Sequence, residues 1–271
     1  MTVEETNNVG KALNELLILR YSPIAMKLIY SEDEIPADSF RPSVKKNGHL
    51  AMCQAFAMVR RERKCITMLK EDHWCVWPLV GYGLVELDDG DIQKMGSLLF
   101  YENKQIGVDF LRDGYPRLKR DRKILGFTLA PLEKAGFEPD IISLYCTPAQ
   151  MRSILMAVQF KTGEQLQLSL DSVDSCVHGT IPVLNGKKFN ITFPDPGEYE
   201  RALTDENEVI FTMQADQAPM LAETLRRFSA MGLGFKELAM KLEYDHARPQ
   251  FYIDMFEKWG LKKGELWDKY D

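Results

Sequence analysis

Apolar residues recur at helical spacing from the start of the chain, where Val9, Leu13, Leu16 and Leu17 predict an amphipathic helix over residues 3–19. Ser22-Pro23 ends it, and IAMKLIY (residues 24–30) switches to a period of two, with Ile24, Met26 and Leu28 on one face of a strand. A polar loop containing Pro36 and Pro42 leads to LAMCQAFAMVRRER (residues 50–63). This reads as a helix whose stripe holds Leu50, Cys53, Phe56 and Ala57, and whose basic end suits a C-terminus. KCITML (residues 64–69) has the content of a buried strand, and PLVGYGL (residues 78–84) predicts a helix with small residues that permit close packing. Residues 91–111 read as helical fragments covering one sheet face. Strands are predicted at 126–131 and 140–146, followed by Thr147-Pro148-Ala149-Gln150, a helix start with a capping Thr, Pro at the first position and Gln at the third. Leu166, Leu168 and Leu170 alternate as a strand, and a helix opens at Asp174 or Ser175. Strands at 188–193 and 208–213 precede a helix over 217–231.

These elements predict an α+β (mixed α/β) domain over residues 1–234, with a mixed sheet of about six strands covered by helices, and a helical C-terminal extension over 235–271. The extension carries Tyr252, Met255, Phe256 and Trp259 at i, i+3, i+4 and i+7, a stripe that packs on its own domain or, at a chain end, docks on another subunit of a homo-oligomer. Gly81-Tyr82-Gly83 lacks the third glycine of a dinucleotide loop, so no nucleotide cofactor is expected.

Composition narrows the classes of function. The 271 residues are 45% hydrophobic, enough for one large core or two small ones. A net charge of −6 argues against a nucleic-acid binder, and the one basic run, RLKRDRK (residues 117–123), reads as a solvated face. No run of 18 apolar residues exists to span a bilayer and the N-terminus MTVEETNN is polar, so a cytoplasmic protein without membrane contact is expected. Five cysteines, with no C-x-x-C pair, suit reduced thiols better than a disulfide framework, and any shared site must be assembled by the fold.

The candidate chemistry centres on EDHWCVWP (residues 71–78), where Cys75 lies between two tryptophans and just ahead of a predicted helix, whose positive end lowers a thiol pKa. Cys53 and Cys176 also sit near helix starts. Cys65 reads as a packed core thiol, and Cys146 ends a strand. Thiolates from Cys53, Cys75 and Cys176 would hold a soft metal group, and a three-cysteine [4Fe–4S] cluster would leave one iron open to a small molecule, with His73 or Asp72 beside it as acid or base. Zinc is the alternative, through the arms His73-Trp74-Cys75 and Cys176-Val177-His178, although alternate residues of an extended segment face opposite ways. Two further readings stand beside these. One is a metal-free binding protein in which the cysteines only pack. The other is a thiol enzyme with Cys75 or Cys176 as nucleophile, activated by a helix start and by His73 or His178.

The segments MCQAFAMVRRE, EDHWC, FEPDIISLYCTPAQMRSIL and SVDSCVHGTIPVLNGKKFNITFP, in this order, resemble the uncharacterised ArCR family (domain of unknown function 169), found mainly in archaea and anaerobic bacteria. The resemblance runs from Ser22 to Phe228. It implies that Cys53, Cys75 and Cys176 are the family's cysteines, that Pro148-Ala149-Gln150 belongs to its signature, and that Cys65 and Cys146 fall where members vary. It places a family glycine at Gly197 and an arginine at Arg201, although the run PDPGEYER departs from the pattern. It implies an anaerobe-like setting and no particular reaction.

Overall fold

The alternating segments form six strands in a computed structural model that describes residues 1–97, 101–166, 170, 173–239 and 249–261. They are β1 (Ile24–Ile29), β2 (Ile66–Leu69), β3 (Gly126–Pro131), β4 (Ile141–Cys146), β5 (Phe189–Thr192) and β6 (Val209–Gln214). The sheet order is β2-β3-β1-β4-β6-β5. Every pairing between these strands is antiparallel, with Met26 opposite Leu129 on one side and Ile141 on the other. The α+β class stands as expected, but the sheet is not mixed. The chain does return from β4 through helices to a parallel β5, yet β6 inserts between the two and pairs antiparallel with both. The strand expected over Leu166–Leu170 falls mostly outside the described residues.

The helices are α1 (Val3–Leu17), α2 (Pro42–Lys46), α3 (Met52–Glu62), α4 (Val76–Gly81), α5 (Asp89–Met95), α6 (Lys104–Asp109), α7 (Pro148–Thr162), α8 (Ser175–Leu184), α9 (Pro196–Arg201), α10 (Ala218–Ala230), α11 (Phe235–Ala239) and α12 (Gln250–Lys258). The two-residue period of the strands divides them between two layers. Ala25, Leu144, Cys146 and Phe211 join Leu13 and Leu17 of α1, Ile154 of α7 and Leu221 of α10 in one core. Ile24, Met26, Leu28, Phe127 and Tyr145 join Phe56 of α3, Val80 of α4 and Val177 of α8 in the other. Gln150 locks the first layer. Its side-chain oxygen accepts from Thr147 N at 2.8 Å, and its Nε2 donates to the carbonyl of Leu17 at 2.8 Å, ending α1 as it starts α7. This gives the Pro148-Ala149-Gln150 signature a structural role.

Beyond Gly234 the chain does not leave at once, because α11 packs on α1, α7 and α10. Helix α12 has no buried residue, and Tyr252 and Trp259 of the aromatic stripe are exposed, as is the neighbouring Phe251. No helix among the described residues is long and apolar enough to cross a membrane.

One buried ion pair fastens the second layer to the C-terminal half of the chain. Arg60 of α3, fully enclosed, donates from Nη1 to both oxygens of Glu208 at 2.9 and 3.0 Å and from Nη2 to Thr204 Oγ1 at 2.9 Å. Its guanidinium lies 3.9 Å from the centroid of the Tyr145 ring. Removing one partner strands a buried charge, so Arg60→Met is expected to cost about 3–5 kcal/mol in urea unfolding, and adding Glu208→Gln is expected to recover part of that loss. Equal stabilities of Arg60→Met and the parent chain would show the pair to be dispensable.

Candidate functional site

Two backbone hydrogen bonds bring the first two candidate cysteines together. Leu50 N donates to Asp72 O at 2.9 Å and Trp74 N donates to Leu50 O at 2.8 Å, so the segment entering α3 lies beside the segment entering α4. Cys53 is the second residue of α3, and Cys75 is the N-cap of α4, two residues earlier than the helix start expected at Pro78. Cys176, the second residue of α8, comes to the same place from the far half of the chain. Asp195 performs that junction. Its Oδ2 accepts from Ser175 N at 2.7 Å and Ser175 Oγ at 3.1 Å, while its Oδ1 accepts from Glu198 N at 3.0 Å, capping α9 and clamping it to α8. Cys53 Sγ reaches Gly197 O at 3.6 Å, joining α3 to α9. Gly81 closes the ring: a Cβ there would come within 2.6 Å of Val177 Cγ1, so only glycine lets α4 lie this near α8.

The starts of four helices thus surround one cavity of about 270 Å³, and Cys53, Cys75 and Cys176 all line it. Trp74, Trp77 and Val173 form apolar wall, and Asp174, Asp195, Glu200 and Arg201 supply its charges. Cys65 and Cys146 pack with the opposite core, across the sheet from the cavity. The structure therefore brings together the three cysteines singled out in the sequence and leaves the other two apart.

Asp72 and His73 are not among the residues lining the cavity. Asp72 is wholly buried and accepts from Ser43 N (2.9 Å), Ser43 Oγ (2.6 Å), Leu69 N (2.9 Å) and Arg41 Nε (3.0 Å). Burial raises its pKa, but the bonds from Ser43, Leu69 and Arg41 outweigh that and hold it below the usual carboxylate value. It anchors a turn. His73 packs edge-on against Phe127 with centroids 5.6 Å apart, and burial brings its pKa down to about 4, so it is a neutral core ring near pH 7. His178 lies against Phe110 and Tyr115, and neither His73 nor His178 is among the residues lining the cavity. Among the described residues, no group of three or more His, Cys, Asp or Glu side chains is arranged to hold a single metal ion.

The thiols are not activated as the sequence suggested. Burial pushes Cys75 up to about 11, with the Trp77 amide only partly offsetting it. Burial, then Glu198 and Asp195, take Cys53 up to about 12 against the pull of Arg201. Cys176 is also raised well above the usual thiol value, by burial and then by Asp195 and Asp174. A helix start lowers a thiol pKa by a partial charge, and here desolvation is the larger effect.

Sequence reasoning missed two residues that shape the site. Asp195 was not singled out, although Asp followed by Pro is a helix-start pattern. Glu198 carried no signal. It is wholly buried behind the cavity, accepting from Tyr145 Oη at 2.6 Å and Thr204 Oγ1 at 2.8 Å, and burial takes its pKa up to about 7 although both bonds and Arg60 work the other way.

The family model described as uncharacterised ArCR (domain of unknown function 169) matches residues 12–224 of this chain. An uncharacterized protein of Methanocaldococcus jannaschii is 24% identical over 235 residues, covering 84% of this chain and 97% of its own. No solved structure matches. The chain belongs to the ArCR family.

The buried groups make two predictions. Glu198 binds its proton more tightly folded than unfolded, so the stability it contributes is complete below about pH 4.5 and is lost as pH rises through about 7. Glu198→Gln is expected to flatten that decline in thermal unfolding, and an unchanged slope would place the titration elsewhere. In metal-free protein, alkylation of Cys53, Cys75 and Cys176 is expected to be slow near neutral pH and to rise only towards pH 11 and above. One cysteine labelled rapidly at neutral pH would show an activated thiol.

Proposed function

We propose that this member of the ArCR family carries an iron–sulfur cluster on Cys53, Cys75 and Cys176 and presents the remaining coordination position to a small-molecule ligand in the same cavity. The observation that carries the reading is the convergence of three thiols, from three separate segments, on one cavity that Cys65 and Cys146 do not share.

The donor set suits the group. Three soft sulfurs favour iron–sulfur, zinc or copper(I) over hard cations. Their raised pKa values mean that they lose protons together only when a strong cation arrives, which is what ligation supplies. A tetrahedral zinc with Zn–S bonds of ~2.3 Å needs its sulfurs ~3.8 Å apart. A cluster instead takes each thiolate on a different iron. The absence of histidine from the cavity lining also weighs against the zinc alternative.

When bound, a three-cysteine cluster supplies a Lewis-acidic iron with an exchangeable position. The chain's own residues do the rest. The first turns of α3 and α8 direct their positive ends towards the thiolates, Arg201 adds a full positive charge, and the buried Trp77 supplies an apolar wall. Asp195 holds α8 and α9 in place rather than acting on a ligand, because both of its oxygens are engaged.

Protein purified without oxygen is expected to be brown and to contain about four irons and four sulfides per chain. Cys53→Ser, Cys75→Ser or Cys176→Ser should abolish the colour, and Cys65→Ser or Cys146→Ser should keep it. A colourless, iron-free anoxic preparation, or colour that survives Cys176→Ser, would overturn the reading.

A further inference from the structure

We infer that the small molecule taken by this cavity is a carboxylate, gripped by Arg201 against the ring of Trp74. The inference rests on the cavity being the ligand site proposed above. Arg201 ends α9 and lines the cavity, with its guanidinium carbon 5.1 Å from the centroid of the Trp74 ring, itself a surface indole that is 60% exposed. A guanidinium laid on an indole face keeps its edge for a partner, and that planar fork matches a planar carboxylate.

The surroundings engage this cation through the Cys53 side chain and through Glu200, and leave its Nε unused. Arg201 Nε is shielded from solvent without a hydrogen-bond partner. Its ion pair is with its neighbour Glu200, Nη1 to Oε2 at 3.3 Å, and the Glu200 side chain is 70% exposed. Exposed pairs of this kind contribute little, so an incoming carboxylate can replace Glu200. Gly197 makes room for Arg201, because a Cβ at that position would run into its Nη2.

The cavity also discriminates between anions. Asp174, Asp195 and Glu200 lie in the same lining, and their charge opposes a phosphate dianion more than a singly charged carboxylate. The adjacent indole gives an apolar face for the rest of a flat molecule. A small planar carboxylate matches the fork and the ring, and meets less repulsion from the nearby acids than a phosphate dianion would.

The test is intrinsic tryptophan fluorescence titrated with benzoate and, separately, inorganic phosphate, on anoxically purified protein and on the same protein after iron removal. Benzoate is expected to give a saturable change, weakened about tenfold or more in Arg201→Met, with Arg201→Lys in between because it keeps the charge and loses the fork. Phosphate is expected to bind more weakly than benzoate. No saturable response to benzoate, equal binding by Arg201→Met, or tighter binding of phosphate would overturn the inference. Iron measured on the same samples separates the two ideas. Arg201-dependent benzoate binding in protein that never contained iron would remove the cluster and keep the carboxylate site. An iron-containing protein whose benzoate binding ignores Arg201 would do the reverse.

Discussion

The enclosed contact of Arg60 with Glu208, Thr204 and the face of Tyr145 is the constraint on which the rest of the second layer depends. It joins α3 to the loop before β6, and Thr204 passes the connection to Glu198, whose other oxygen is held by Tyr145. Cys53 at one end of α3 and Gly197 at the start of α9 are therefore positioned by a polar network behind the cavity. Such a network is costly when incomplete and directional when satisfied, so it fixes where two helices start more sharply than apolar packing does. The apolar core sets the layers, and this network sets the register between α3 and α9.

Around the cavity, each junction between helices uses a different physical device. The α3 and α4 entries are joined by backbone hydrogen bonds, α4 and α8 by the missing Cβ of Gly81, α8 and α9 by the Asp195 carboxylate, and α9 and α3 by contact with Cys53. The thiols are left on one cavity, largely buried and protonated. That state suits storage of ligating capacity better than nucleophilic attack, because a nucleophile needs its thiolate before the substrate arrives.

Much of this was legible in the sequence. Periodicity located all six strands of the sheet, and Thr147-Pro148-Ala149-Gln150 announced α7 through capping chemistry that needs no tertiary context. The three cysteines could be chosen because each stood near a helix start, a local property. Strand order was not legible, because the insertion of β6 between β4 and β5 is decided by long-range pairing. The places of Asp72 and His73 were not legible for a related reason: nearness to Cys75 in sequence suggested nearness to the cavity, but the turn carries both into the interior, where Asp72 meets Arg41 and Ser43 and His73 meets Phe127. Glu198 and Arg60 could not be singled out, since only the folded chain shows which charged residues lose all contact with water.

The junction of the Leu50 and Trp74 segments also bears on how the chain is made. These strands of backbone lie near each other in sequence, so Cys53 and Cys75 can be brought side by side while the C-terminal half is still being synthesised. Cys176, Asp195 and Gly197 arrive only after β4 and α7 have emerged. The third wall of the chamber, with Cys176, Asp195 and Gly197, therefore comes from residues far along the chain from the first two thiols, and the completed chamber needs both halves of the polypeptide.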